Sequence, residues 1–142
     1  DDTQCPTGAF LSVEGSPFDF REMKKIGDGI HCDNAQLKLG GTYDHNFVIN
    51  GDGLREAAVL QSKESGIRMT CFTDQPGVQL YVPCYTLHQK GIDGKDYPPY
   101  SAVCLETQHY PNAINIEHFP PVVLKAGENF RSKTLYHFSV MS

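Results

Sequence analysis

The feature that most constrains this chain is a succession of apolar runs of strand length, each closed by Gly, Pro, Asn or Asp. No apolar helical period persists beyond about two turns. That punctuation predicts an all-β architecture, an antiparallel β-sandwich, rather than a helical scaffold. Strands are expected over residues 9–14, 36–39, 47–50, 57–62, 67–73, 78–85, 103–107, 122–125 and 132–140. The last is the cleanest, because strict alternation puts Leu135, His137 and Ser139 on one side and Thr134, Tyr136, Phe138 and Val140 on the other. Residues 18–26 could form a short helix after Pro17 with Ser16 as its cap, and a turn-rich connection fits them equally well. Asn50-Gly51-Asp52-Gly53 and Glu64-Ser65-Gly66 are turn sequences, and residues 91–100 are the longest irregular piece.

With 142 residues the chain is read as one domain over its whole length, long enough to bury roughly two-thirds of its unfolded surface. A formal net charge of -5, with 20% charged residues, argues against nucleic acid or an anionic membrane as partner and suits a neutral small molecule. No apolar run reaches the roughly 20 residues of a membrane span, and no leader-like segment opens the chain. The five cysteines are odd in number, widely spaced and without a CxxC pair, which favours a reducing, cytoplasmic setting over a disulfide framework. Neither they nor the six histidines fall at zinc-ligand spacings, so no zinc site is expected. The opening Asp1-Asp2-Thr3 lacks an initiator methionine, so a fragment or processing product is expected.

Three stretches carry candidate chemistry. In residues 101–121, SAVCLETQHYPNAINIEHFPP, Glu106 ends an apolar run and is followed by Thr107, Gln108, His109 and Tyr110. A carboxylate at a strand end near aromatics suits a general base, since partial desolvation raises its pKa toward the working range. Pattern alone leaves this reading level with a surface glutamate or a partner for Lys125 or Arg131. Residues 41–47, GTYDHNF, collect the Asp, Asn and aromatic types that hold sugar hydroxyls, and an Asx-turn opening a strand explains them as well. In residues 73–81, TDQPGVQLY, a Pro-Gly turn precedes a strand on which Gln79 and Tyr81 share one face; Gln79 could bind a hydroxyl or simply face solvent. No nucleophile elbow, GxGxxG or P-loop is present, which leaves serine-hydrolase and nucleotide chemistry without a motif.

The motifs YDHNF, TDQPGVQLY, LETQHYP, FPPVVLKAGE and YHFSV, preceded by EGSPFDFR at 14–21, occur in this order and together resemble the C-terminal part of the galactose mutarotase (aldose 1-epimerase) family. The resemblance covers essentially the whole chain. It implies the C-terminal portion of a large antiparallel β-sandwich with an open sugar cleft. It further implies that Glu106 is the base acting on the anomeric hydroxyl, and that Asp44 and Gln79 bind the sugar. The reaction implied interconverts the α and β anomers of an aldohexose such as galactose or glucose without a cofactor. The family's acid histidine, its supporting histidine and a sugar-binding arginine lie in the N-terminal part. None of His31, His45, His88, His109, His118 and His137 matches them. Val82-Pro83-Cys84 also departs from the family pattern. The expectation is therefore a chain that is a poor catalyst alone, with an N-terminal half or another chain covering its sheet edges. A non-catalytic carbohydrate-binding module on the same sandwich is the alternative.

Overall fold

The computed structural model describes residues 1–85 and 90–141; His88 lies outside them. Six strands dominate: β1 (Asp44–Val48), β2 (Arg55–Gln61), β3 (Ile67–Thr73), β4 (Gly77–Tyr81), β5 (Cys104–Gln108) and β6 (Thr134–Val140). They form two antiparallel sheets, ordered β1-β4-β5 and β2-β3-β6. The chain divides into two compact units, Asp1–His45 with Leu80–Cys104, and Asn46–Gln79 with Leu105–Ser142. The fold class is thus all-β, as the punctuated apolar runs predict.

In the first unit the core is built around Tyr43, which is fully buried. Its ring meets those of Phe18 and Phe20 edge-on at centroid distances of 5.5 and 5.4 Å, and its hydroxyl donates to the Pro17 carbonyl at 2.9 Å. Lys24 lies over the Phe20 ring at 4.5 Å. The segment that looked like a possible helix, residues 18–26, is therefore an irregular strap that delivers two aromatic edges. Its Ser16 hydroxyl holds a turn, accepting from the Phe18 amide and donating to Val13. At the end of this strap Ile26–Asp28 makes a single 3₁₀ turn.

Three expected strands are absent. Residues 36–39 lie in a helix, α1 (Ala35–Gly40), because Asn34 caps it: the side-chain oxygen accepts from the amides of Gln36 and Leu37. Gly41 ends it in the left-handed conformation at φ 68°. That local capping outweighed a four-residue alternation. Residues 9–14 and 122–125 are irregular. Their apolar side chains, Leu11 and Val123 among them, are exposed, so neither run has a partner surface that would make it a strand.

The second unit contains the β2-β3-β6 sheet. β2 and β3 form a hairpin closed by Ser62 and Gly66, the glycine at φ 71°; a bulge between Glu56 and Ala58 shifts its register. β6 pairs with β3 without interruption, from Ile67↔Val140 to Thr73↔Thr134. Cys71 and Thr73 are fully buried, while Phe138 and Val140 on β6 are 63% and 81% exposed. β6 is thus a strand as expected, but its burial does not alternate and the expected apolar face, with Tyr136, Phe138 and Val140, is exposed. Tyr110, Ala113 and Phe119 form a small separate cluster with Ile116.

Candidate functional site

The second unit places Gln79 and Glu106 on adjacent strands, β4 and β5. Alternation puts Glu106 and Gln108 on one face of β5 and turns Leu105 and Thr107 to the other. Gln108 Nε2 donates to Gln79 Oε1 at 3.2 Å and to Asn46 Oδ1 at 3.2 Å. Three carboxamides thus form one cluster on β1, β4 and β5. Gly77 makes room for it, since a Cβ there would lie 2.6 Å from Asn46 Oδ1. The Pro-Gly pair of residues 76–77 serves side-chain approach as well as the turn.

Glu106 is exposed, and among the described residues it forms no ion pair. The partnership with Lys125 or Arg131 weighed from the sequence is not formed. The backbone around Glu106 is firmly held. Tyr136 donates its hydroxyl to the Leu105 carbonyl at 2.8 Å, and the hydroxyls of Thr107 and Thr134 are hydrogen-bonded. Burial first, then the nearby Cys71 and the Glu106 carboxylate, push the Tyr136 phenol above its ordinary pKa.

Asp44 opens β1 in the first unit and is exposed. Its amide donates to Nδ1 of the following His45 at 3.0 Å. His45 packs edge-on against Phe18 at 4.6 Å. Burial lowers its pKa, against the opposing effects of Asp44 and a backbone contact from Gln36. Tyr81 donates to the Tyr85 hydroxyl at 2.9 Å, and that bond, with smaller contributions from burial, from the charge of Tyr85 itself and from Asp44, raises its pKa to about 12. Both His45 and Tyr81 are therefore neutral at physiological pH.

A cleft of about 510 Å³ in the second unit is lined by Asp52, Arg55, His109, Tyr110, Phe130 and Arg131, among others, and includes neither Glu106 nor Gln79. His109 belongs to this cleft. The Arg55 guanidinium donates to the carbonyls of Ile49, Asn50, Gly53 and Thr73, which pins the turn after β1 to the end of β3. Among the described residues no three His, Cys, Asp or Glu side chains come together as a metal site. The five cysteines are free thiols. No helix among the described residues is long and apolar enough to cross a membrane.

Sequence reasoning missed the bridging role of Gln108. The signal was present in its spacing two residues after Glu106, which puts both side chains on one strand face. The roles of Tyr136 and Thr134 lacked any such signal, because their contacts to β5 span 31 and 27 residues.

An antiparallel β protein that presents an unpaired carboxylate beside a carboxamide cluster has the elements of a polyol-binding, proton-transferring site. Comparison with known proteins makes the class specific. The family model for aldose 1-epimerase matches residues 1–137. Galactose mutarotase of Bos taurus is 40% identical over 99% of this chain, and aldose 1-epimerase of Escherichia coli K12 is 30% identical over 97%. The crystal structure of an aldose epimerase homologue from C. elegans superposes with a TM-score of 0.80 at 33% identity, covering all of this chain and 42% of that one. Galactose 1-epimerase from Lactobacillus acidophilus gives 0.84 at 29% identity, covering all of this chain and 40% of that one. The chain belongs to the aldose 1-epimerase family. It spans 40% of the bovine protein and 41% of the bacterial one.

Proposed function

We propose that these 142 residues are the C-terminal portion of a single aldose 1-epimerase domain that interconverts the anomers of aldohexoses such as galactose and glucose. In this reading Glu106 removes the proton from the anomeric hydroxyl. The C1–O1 double bond forms, the bond from C1 to the ring oxygen breaks, and that oxygen takes a proton from an acid. Rotation about C1–C2 and the reverse steps deliver the other anomer. Each positioned proton-transfer group contributes roughly 10²–10⁴-fold. Glu106 is exposed rather than partly desolvated, and what supports its role as base is an unpaired carboxylate on the strand face that also carries Gln108, open to a ligand. The hydrogen bond from Gln108 to Gln79 supports Gln79 as a pre-positioned ligand for a sugar hydroxyl. Asp44, which opens β1 in the first unit, is assigned as a sugar-binding residue on the family resemblance alone.

The chemistry needs an acid, and no histidine of this chain is assigned that role. Exposed Phe138, Val140 and Ile67 on one face of the β2-β3-β6 sheet support a further segment or chain covering it. The 142 residues alone are therefore expected to be weak or inactive in a cytoplasmic enzyme of larger size. Polarimetry of freshly dissolved α-D-galactose tests this. Turnover by the isolated chain close to the uncatalysed rate supports the reading; full mutarotase-level turnover would overturn the requirement for an acid outside it. If the longest natural form bound galactose but showed no turnover above the uncatalysed rate, the non-catalytic carbohydrate-binding module would be the better description.

A further inference from the structure

Glu106 makes no ion pair, and no hydrogen bond of its own side chain fixes its direction among the described residues. What fixes it is the backbone on either side. The two residues that flank it point to the opposite face of β5 and are both gripped by β6. Tyr136 donates to the Leu105 carbonyl at 2.8 Å, and Thr134 shares a hydrogen bond with the Thr107 hydroxyl. Thr134 and Tyr136 are two residues apart, so they project from one face of β6 and meet β5 at two points that bracket Glu106.

The grip is itself anchored. Thr134 lies opposite Thr73 in the β3–β6 register, and their hydroxyls are 3.2 Å apart. Thr73 is fully buried, contacts the Lys133 carbonyl at 3.3 Å and accepts from the Gln75 amide at 3.0 Å. Asp74 holds the start of β6 as well, accepting from the Lys133 amide with both carboxylate oxygens at 3.0 Å. A chain of hydroxyls therefore runs from the buried end of β3 through β6 to the residue after Glu106. A base carried on an unsupported side chain depends on its backbone for aim, and a misplacement on the order of 1 Å costs about 10²-fold in rate.

We propose that Tyr136 and Thr134 are positioning residues that aim the Glu106 carboxylate, acting through the Leu105 carbonyl and the Thr107 hydroxyl. This rests on Glu106 being the base of an aldose 1-epimerase. Tyr136→Phe removes the contact to the Leu105 carbonyl, and Thr134→Val removes the contacts to the Thr107 and Thr73 hydroxyls, each with little change in side-chain volume.

The test is a double-mutant cycle in the longest natural form, followed by polarimetry with α-D-galactose. Tyr136→Phe is expected to lower kcat about 10-fold while KM changes less than about 2-fold. In a Glu106→Gln background the same substitution is expected to have no further effect on kcat, because there is no base left to aim. Ser139→Ala, on the same strand and outside the grip, should leave kcat unchanged. Thermal melting and circular dichroism report whether each variant is folded, and Thr134→Val serves as the second probe if Tyr136→Phe is not. A Tyr136→Phe loss that persists in full in the Glu106→Gln background, or an unchanged kcat in both grip variants, would overturn the positioning role. A normal kcat in Glu106→Gln itself would instead overturn the assignment of the base.

Discussion

Gln108 holds Gln79 across the β4–β5 pair through one hydrogen bond, Nε2 to Oε1 at 3.2 Å, and reaches Asn46 with the same nitrogen. A carboxamide shared in this way is oriented before any ligand arrives. Gln79→Ala and Gln108→Ala are each expected to cost about 1 kcal/mol of stability, the usual net worth of a part-buried hydrogen bond. Because the two residues share that bond, the double variant should lose less than the sum of the singles by roughly 0.5 kcal/mol or more. Urea denaturation of the four proteins measures this; strict additivity would mean that the bond contributes nothing.

Arg55 is the residue whose loss should damage the second unit most. Its guanidinium satisfies four backbone carbonyls from two separate segments. Arg55→Ala is expected to cost roughly 2–4 kcal/mol, since a hydrogen bond to a charged donor is worth about 1.5–3 kcal/mol and bonds from one group are not additive. Arg55→Lys keeps the charge and loses the planar fork, so it should recover less than half of that. Denaturant midpoints decide it, and full recovery in the lysine variant would show that charge alone matters.

Helix α1 depends on its cap. Asn34→Ala is expected to destabilise by about 1 kcal/mol, and Asn34→Ser by much less, because the serine oxygen can also accept from the first-turn amides. Thermal or urea unfolding monitored in the first unit reads the difference; equal losses in the two variants would exclude capping as the cause. The sequence contained the cap and the glycine that ends the helix, yet four alternating residues between them read as a strand.

That misreading shows where the sequence was informative and where it was not. β3 was legible to the residue, because Ile67 to Thr73 is β-rich and bounded by Gly66 and Asp74, and β2, β4, β5 and β6 were legible within a few residues. Residues 9–14 and 122–125 have the same apolar character as real strands. What they lack is a neighbouring strand, and pairing is a tertiary property that no local pattern carries. Glu106 stood out as a charge at the end of an apolar run, and Gln108 was accessible by its spacing. The grip of Tyr136 and Thr134 on β5 joins residues 31 and 27 positions apart, and the contact from Arg55 to the Thr73 carbonyl spans 18; such contacts leave no trace in spacing or composition.

His45 gives the first unit a pH dependence whose sign follows from its lowered pKa. Burial disfavours its charged form, and that effect exceeds the opposing ones from Asp44 and Gln36. The unfolded chain, with an ordinary histidine near pKa 6.5, then binds the proton more readily than the folded one. The stabilising contribution is complete above about pH 7 and is lost as pH falls from about 6.5 through the folded-state value. Unfolding measured between pH 7.5 and 5 should show this decline, and His45→Phe should flatten it. An equal slope in the variant would place the titration elsewhere.

The measurement that bears most directly on the central claim is the polarimetric mutarotation of α-D-galactose by the longest natural form of the protein, compared with its Glu106→Gln variant. Glutamine keeps the size and removes the basicity of an exposed side chain, so stability should be unchanged within about 0.5 kcal/mol. The account predicts a fall in kcat of roughly 10²–10⁴-fold with little change in KM. Turnover in the variant equal to that of the parent would contradict it.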